Sequence, residues 1–297
     1  MSLRIAVTGA SGFCGAVVAR AAVAEGDEVV CLGRNPGPVG EHRYWDATRT
    51  PPDLTGTDIV LHLAAAVGDP PPGPASEAAF RSVNVDGTAR LLHAAGDRPL
   101  VWVSSASVYS APGPGPEPIT EDHPLAGSAV YGRTKAAGER LALSAGAVVL
   151  RPRAVYGPGD PHLVPRLRRV VRGGRALLPG PDVPLSLTAV ENLADACLAA
   201  AHWPAGAYNI ADAEPYRRDA VVEAVCGAPV THLPIPLVDA MSVLVTAASR
   251  LTGRSSLLSR YAVEQLTTGV VLDISRARAQ GWTPRRSLHD FLSSPAI

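Results

Sequence analysis

The chain contains 27 basic residues, and Lys135 is the only lysine among them. Arginine and lysine serve equally well on a solvated surface, but only lysine carries a compact ammonium whose pKa shifts readily. A chain that otherwise uses arginine is expected to keep lysine where arginine would fail. Tyr131 lies four residues earlier, and residues at that spacing share one face of a helix. The spacing therefore predicts that a phenol and an ammonium point into the same space.

A serine hydroxyl can complete this pair. Ser105 lies 26 residues before Tyr131, directly after the predicted strand Leu100–Ser104. A tyrosine phenol ordinarily has a pKa of about 10, and a neighbouring cation favours its phenolate form. Serine, tyrosine and lysine together suit proton transfer to a carbonyl that is being reduced. Ser105, Tyr131 and Lys135 are therefore the candidate catalytic residues. The alternative is that Lys135 is an ordinary surface residue.

The elements that would position these residues are short apolar runs that alternate with helical patterns. Strands that are apolar on both faces and separated by helices predict an α/β fold with a doubly wound parallel (Rossmann) sheet. The less regular second half predicts a smaller C-terminal substrate-binding lobe. We expect a dinucleotide-binding domain of 1–150 plus 186–212 and a lobe of 151–185 plus 213–297. The predicted strands are Arg4–Thr8, Glu28–Leu32, Asp58–Leu63, Leu100–Ser104 and Ala147–Leu150.

A glycine-rich loop follows the first predicted strand and leads into a predicted helix, Ala16–Glu25. In such a loop the first glycine allows a tight turn and the second lets the backbone approach a pyrophosphate. The third allows helix and strand to pack closely. The start of the helix adds N–H donors and partial positive charge. The pattern predicts dinucleotide binding by Gly9, Ser11, Gly12, Phe13, Cys14 and Gly15.

The end of the second predicted strand bears on the choice of cofactor. NAD-binding proteins commonly place an acid there, whereas this chain has Gly33 and Arg34. Arginine can bind a 2′-phosphate, so NADP(H) is favoured over NAD(H) unless Arg34 is only a solvated loop residue. Asp46 follows the strand-like segment Arg43–Trp45 and either lies near the adenine or simply begins a turn.

The composition excludes several classes of protein. The formal net charge is zero and 46% of the residues are hydrophobic, which indicates a large core and no basic surface for nucleic acid. The four cysteines are not spaced as zinc ligands, and no apolar stretch reaches the ~18 residues of a membrane span. A strand-like segment begins at Leu3, which leaves no room for a signal peptide. We expect a cytoplasmic protein with a small-molecule substrate, no nucleic-acid or membrane partner and no metal; a homodimer is left open.

Several motifs occur in a characteristic order along the whole chain. They are TGASGFCG (8–15), HLAA (62–65), NVDGT (84–88), SSASVY (104–109), YGRTK (131–135), LRPRAVYGPGD (150–160), AYNIAD (207–212) and DISRARAQGWTP (273–284). In these motifs the chain resembles an extended short-chain dehydrogenase/reductase, of the NAD-dependent epimerase/dehydratase and 3β-hydroxysteroid dehydrogenase group.

The resemblance implies a role for each candidate residue. It makes Tyr131 the general acid/base, Lys135 the ligand of the nicotinamide ribose that also tunes the tyrosine, and Ser105 the residue that orients the substrate. It further places Asn84 near the cofactor and sets Leu63, Ala64 and Ala65 against the adenosine side. The residues Gly33 and Arg34 depart from the NAD-using members of the group.

Three functions are compatible with the sequence. The first is an NADP(H)-dependent ketoreductase or secondary alcohol dehydrogenase for a bulky, mainly apolar ketone or alcohol. The apolar segment 236–251 and Leu257–Tyr261 resemble the steroid and acyl-chain branch, although 236–251 could simply be core. The alternative is a nucleotide-sugar 4-epimerase, dehydratase or ketoreductase with bound NAD(P). The third is a non-catalytic NADP-binding sensor, which would not need the three catalytic residues.

Overall fold

The computed structural model describes residues 2–68, 70, 73–111, 117–236, 238 and 268–293. Most of segment 236–251 and all of Leu257–Tyr261 lie outside these ranges. Within the described ranges, no helix has the length and apolar character needed to cross a bilayer.

The first half of the chain alternates strands with helices, as the apolar runs predict. The first helix begins at Phe13, three residues earlier than the sequence pattern suggests. A π-helical segment, Ser82–Gly87, leads into the third helix, and a 3₁₀ turn, Ala106–Val108, follows the fifth strand. The elements are β1 (Arg4–Thr8), α1 (Phe13–Ala24), β2 (Glu28–Gly33), β3 (Glu41–Tyr44), β4 (Ile59–His62), α2 (Pro74–Arg81), α3 (Thr88–Ala95), β5 (Leu100–Val103), α4 (Val130–Ser144) and β6 (Val148–Pro152).

The second half is built from shorter elements around a core of its own. Tyr156, Leu178 and Val222 are among the buried residues of that core. The elements are β7 (Val155–Tyr156), α5 (Leu163–Arg168), β8 (Val171–Arg172), β9 (Arg175–Pro179), β10 (Pro184–Leu185), β11 (Thr188–Ala189), α6 (Val190–Ala199), β12 (Gly206–Ile210), β13 (Tyr216–Arg217), α7 (Arg218–Cys226), β14 (Val230–Leu233), α8 (Ser275–Arg278) and α9 (Leu288–Ser293).

A seven-stranded sheet forms the centre of the molecule. Its strand order is β12-β6-β5-β4-β1-β2-β3, and every neighbouring pair is parallel. The order reverses at β1, which puts the loop after β1 at the point where ligands bind in open α/β sheets. The predicted doubly wound Rossmann sheet is confirmed, and the late strand β12 lies at its edge beside β6.

Alternation along the strands explains why the sheet is buried on both faces. Successive side chains point to opposite faces, so an apolar strand contributes to two cores at once. Ile5 and Val7 of β1 belong to one core, together with side chains of α1 and α6. Ala6 of β1 and Trp102 of β5 belong to the other, together with side chains of α3 and α4.

A buried ion pair joins α4 to the sheet. Arg151 of β6 donates to Glu139 of α4, and the two side chains are 3% and 0% exposed. Glu139 also accepts from the Ser104 hydroxyl at the end of β5. Arg151 Nη1 donates to the Tyr109 hydroxyl at 2.8 Å, and Tyr109 donates to Asn209 Oδ1 of β12 at 2.6 Å. These bonds fix helix α4 against three adjacent strands.

The end of the chain closes onto the same region. The Asn209 amide donates to the carbonyl oxygens of Ile119 and Asp273, at 2.9 and 3.0 Å. Asn192 of α6 accepts from the backbone N–H groups of Arg285 and Arg286, at 2.8 and 2.9 Å. The segment 268–293 is therefore bound to β12 and α6 by hydrogen bonds with buried asparagines.

Glu139→Gln should destabilise the protein strongly, because it keeps the shape of the side chain but leaves Arg151 buried without its counter-charge. Loss of one partner of a buried pair costs about 3–5 kcal/mol. Urea unfolding followed by circular dichroism measures the change in the free energy of unfolding. Glu77→Gln is the matched control, because Glu77 pairs with Arg133 where the side chains are 41% and 48% exposed. Similar small losses in both variants would show that the buried pair does not hold α4.

Candidate active site

One cleft of about 770 Å³ runs along the carboxyl ends of the strands. Every site residue predicted from the sequence lines it except Asn84. The predicted residues in its wall are Gly9, Ser11, Gly12, Phe13, Cys14, Gly15, Arg34, Asp46, Leu63, Ala64, Ala65, Ser105, Tyr131 and Lys135. The structure thus places the glycine loop and the three candidate catalytic residues around a single space.

The glycine loop has the shape that a bound pyrophosphate requires. Gly9 has φ +72°, and a Cβ there would lie 2.8 Å from the Ala64 nitrogen. A Cβ on Gly15 would lie 2.3 Å from the Gly9 carbonyl oxygen, so larger residues are excluded from both positions. Helix α1 begins without a side-chain cap and without an acid in its first turn. Burial raises the pKa of the Cys14 thiol to about 12, so this side chain adds no negative charge. The loop therefore fits a dinucleotide.

Thr8 fixes the segment that faces this loop. Its hydroxyl oxygen accepts from the N–H groups of Leu63 and Ala64, both at 3.1 Å. Its own proton can then be donated to His62 Nδ1 at 2.7 Å, which leaves the imidazole proton on Nε2. Burial lowers the pKa of His62 to about 3, with the charge of Lys135 as a further cause. His62 is therefore neutral and serves to hold the ends of β1 and β4 together.

Asn84 lies behind the wall of the cleft rather than in it. It lies 1% exposed in the π-helical segment and does not line the cleft. Its Oδ1 accepts from Ala66 N at 2.7 Å, and its Nδ2 donates to Ala66 O and to Thr134 Oγ1. Asn84 thus connects the segment after β4 to helix α4 and acts on the cleft through both.

Arg34 follows β2 and Asp46 comes shortly after β3, and both lie at the same end of the cleft. Arg34 is exposed and follows Gly33. Asp46 accepts from Thr48 N and Oγ1, at 2.9 and 2.7 Å, so it begins a turn as well as lining the cleft. These bonds from Thr48 lower the pKa of Asp46, and the charges of Arg49 and Arg34 act in the same direction. A carboxylate therefore lies close enough to Arg34 to offset part of its charge.

Ser105 and Tyr131 line the part of the cleft beside β5 and β6. Ser105 follows β5 and caps the 3₁₀ turn, because its hydroxyl accepts from Ser107 N at 3.2 Å. The same hydroxyl donates to Ser107 Oγ at 3.1 Å. Tyr131 lies in the first turn of α4 and is half-buried. Both hydroxyls are thus carried on backbone that is fixed by regular structure.

Lys135 lies one helical turn after Tyr131 and is only 2% exposed. Its ammonium donates to the Val103 carbonyl oxygen at 2.7 Å and lies 3.7 Å above the centre of the Trp102 ring. Burial lowers the pKa of Lys135 to about 7, and the carboxylate of Glu139 opposes this shift. A guanidinium could not lose its proton here, which is a physical reason for lysine at this position.

Trp102 is the residue in this region that the sequence patterns do not reveal. It is fully buried, and its indole N–H donates to Thr88 Oγ1 at 3.3 Å. Gly138 makes room for it, because a Cβ there would lie 3.0 Å from Trp102 Cζ2 and 2.1 Å from the Asn84 carbonyl oxygen. Strand alternation is a signal that could have placed Trp102 on the face of β5 that α4 covers. Its contact with Lys135 could not be found in this way, because that contact depends on where α4 packs on the sheet.

Known proteins resemble this chain in sequence and in fold. The fold and the cleft define a dinucleotide-dependent α/β enzyme. The sequence model of the NAD dependent epimerase/dehydratase family matches residues 5–211, and the chain belongs to that family. The predicted resemblance is confirmed, and the protein is an oxidoreductase of the extended short-chain dehydrogenase/reductase type that uses a nicotinamide cofactor.

Individual relatives are similar over much of the chain. The 2-alkyl-3-oxoalkanoate reductase of Stenotrophomonas maltophilia is 30% identical over 98% of this chain and 97% of that protein. The 3-beta-hydroxysteroid dehydrogenase of Mycolicibacterium neoaurum is 29% identical over 71% of this chain and 66% of that protein. A short-chain dehydrogenase/reductase superfamily protein from Agrobacterium tumefaciens, solved with bound NAD, has a TM-score of 0.76. It is 23% identical and covers 97% of this chain and 94% of its own, which supports the fold.

Trp102→Leu should lower the pKa of Lys135 further, because the ring face stabilises the ammonium where water is excluded. A desolvated contact of this kind is worth about 2 kcal/mol, which corresponds to roughly 1.5 pH units. Because Lys135 is the only lysine, protein labelled with ¹⁵N-lysine gives one side-chain signal to titrate by NMR. The parent midpoint should lie near a pH of about 7.

Two further variants separate the ring contact from core damage. Trp102→Phe keeps a ring and should move the midpoint less than Trp102→Leu. Trp45→Leu removes another buried tryptophan, whose ring lies 6.1 Å from that of His62, and should leave the midpoint in place. An unchanged midpoint in Trp102→Leu would show that the ring does not stabilise the ammonium.

Proposed function

We propose that the protein is an NADP(H)-dependent ketoreductase or secondary alcohol dehydrogenase for a bulky, mainly apolar substrate. The observation that carries this proposal is the composition of one cleft. Ser105, Tyr131 and Lys135 share that cleft with the glycine loop and with a set of apolar side chains from the second half. The apolar residues are Val155, Leu163, Leu167, Val170, Leu185, Leu187, Val221 and Val222.

The chemistry assigned to these residues is proton transfer at one oxygen atom. The nicotinamide, when bound, supplies or accepts the hydride. In the reducing direction Tyr131 donates its phenolic proton to the carbonyl oxygen as that oxygen gains negative charge. The Lys135 ammonium stabilises the phenolate that is left, and the Ser105 hydroxyl holds the substrate oxygen within reach of the phenol. In the oxidising direction the phenolate accepts the hydroxyl proton.

The relatives support ketone reduction. The names 2-alkyl-3-oxoalkanoate reductase and 3-beta-hydroxysteroid dehydrogenase both describe interconversion of a ketone and a secondary alcohol on a largely apolar molecule. The second candidate is a nucleotide-sugar epimerase, dehydratase or ketoreductase, which the family description favours. Sugar hydroxyl groups would need polar partners, and this part of the cleft offers Arg153, His162, Arg166 and Arg218. Its larger set of apolar side chains favours an apolar substrate.

Two measurements distinguish the candidates. Thermal stabilisation by NADPH and NADH shows which cofactor binds. Loss of NADPH absorbance is then followed with apolar ketones and with nucleotide-sugar ketones. The proposal predicts cofactor-coupled turnover of apolar ketones. Conversion of a nucleotide sugar without net NADPH loss would identify an epimerase or a dehydratase, and cofactor binding without any turnover would identify a sensor.

Arg34→Ala should weaken NADP(H) binding while barely changing NAD(H) binding, because only NADP carries the 2′-phosphate. Hydrogen bonds to charged groups are worth about 1.5–3 kcal/mol, and the low end is expected because Arg34 is exposed and near Asp46. Titration calorimetry with both cofactors measures the two affinities. Arg49→Ala is the control, because Arg49 lies 3.4 Å from Asp46 but does not line the cleft. Equal affinity of the parent for both cofactors would refute the NADP assignment.

Lys135→Arg should be costly although it keeps the charge, because the longer, forked guanidinium does not fit between Val103 and Trp102. The loss should appear mainly in kcat, by a factor on the order of 10²–10⁴. Tyr131→Phe should be at least as damaging and should leave NADP(H) affinity largely intact. The double variant should cost far less than the sum of the two, because the residues act as one unit. Near-parental turnover by Lys135→Arg would remove the lysine from the mechanism.

A further inference from the structure

A run of five arginines begins in α5 and crosses β8 to the start of β9. It contains no acidic residue, although the whole chain has a formal net charge of zero. All five side chains belong to exposed residues. We name this surface the arginine rim; its members are Arg166, Arg168, Arg169, Arg172 and Arg175.

The side chains of the arginine rim have no acidic partners among the residues that the structure describes. Within the described part of the chain, no carboxylate forms a salt bridge with any of its members. Arg172 donates to backbone carbonyl oxygens, and Arg175 donates to Thr231 Oγ1. Arg217, in the same half of the chain, is instead paired with Asp182 at 2.7 Å. The rim therefore keeps a positive potential that neighbouring side chains do not neutralise.

One member of the arginine rim, Arg166, reaches the apolar part of the cleft. Arg166 lines the cleft itself, next to Leu163 and Leu167 of the same helix and opposite Val221 of α7. Asp46 is the only acid in the described lining, and it lies at the other end beside Arg34. A substrate that enters this part of the cleft thus meets apolar side chains and positive charge together.

We propose that the arginine rim binds a carboxylate on the substrate while the apolar wall binds its alkyl chain. The inference rests on the proposed ketoreductase function and names its substrate class, a long-chain acid that carries a ketone or secondary alcohol. A guanidinium binds a carboxylate through two parallel hydrogen bonds, which is the strongest recognition available to an arginine at the edge of a cleft. Arg166 contributes most, because it is the rim member that lines the cleft.

Binding of a non-reacting probe tests the rim without requiring catalysis. Octanoate and octanol share an alkyl chain and differ in charge, and each is titrated into the protein saturated with NADP⁺. The parent should bind octanoate at least about 10-fold more tightly, because a charge-assisted hydrogen bond at the rim is available only to the acid. Arg166→Ala should remove most of that preference. Added salt should weaken octanoate binding and not octanol binding.

Arg217→Ala is the matched control, since it removes one exposed positive charge from the same half of the chain. It should leave the preference for octanoate unchanged. Equal binding of octanoate and octanol by the parent would overturn the rim as a carboxylate site. An equal loss in Arg166→Ala and Arg217→Ala would do the same, because it would show only an effect of net charge.

Turnover distinguishes failure of the rim from failure of the proposed function. NADP⁺ reduction is compared for a medium-chain 3-hydroxy acid and its methyl ester. The proposal predicts that the parent has a higher kcat/KM for the acid than for the ester. In Arg166→Ala the two values should be nearly equal, and the difference from the parent should lie in the KM for the acid. Equal kcat/KM for both substrates in the parent would refute the rim and leave the ketoreductase assignment standing. Octanoate selectivity without turnover of either substrate would support the rim and count against the ketoreductase.

Discussion

The buried pair of Glu139 and Arg151 is the interaction on which the candidate active site depends. Helix α4 carries Tyr131 and Lys135, and its position relative to the sheet is fixed where Arg151 of β6 meets Glu139. The same carboxylate holds the Ser104 hydroxyl, directly before Ser105. One ion pair therefore fixes the distance between the elements that carry all three candidate catalytic residues. The Glu139 carboxylate also lies near Lys135. Its negative charge opposes the lowering of the ammonium pKa by burial.

The parts of the molecule that could be predicted from the sequence are those set by local pattern. Apolar runs predict strands because a strand that is buried on both faces is apolar along its length, whichever elements cover it. The glycine spacing predicts the loop because Gly15 must pack against the nearby Gly9 backbone and Gly9 itself has φ +72°. The spacing of Tyr131 and Lys135 predicts their common helix face because helix geometry is regular.

The parts that could not be predicted depend on contacts between distant segments. Asn84 braces Ala66 and Thr134, and no local signal distinguishes that role from contact with a cofactor. The position of Trp102 under Lys135 requires the packing of α4 on β5. Asp46 begins a turn and also lines the cleft, and the sequence alone did not show that one residue can do both. Its carboxylate lies near Arg34, the residue proposed to bind a 2′-phosphate.

The position of β12 at the edge of the sheet has a consequence for how the protein is made. β12 pairs with β6, and its Asn209 binds Tyr109 and the carbonyl oxygen of Asp273 near the end of the chain. During synthesis, β1 to β6 emerge well before these partners exist, so the early sheet has an exposed edge at β6. Domains fold as units, and unpaired edges of partly folded sheets are prone to association. Helix α4 thus reaches its final hydrogen-bond network only after the segment that contains Asp273 has left the ribosome, which makes completion of the candidate active site a late event in folding.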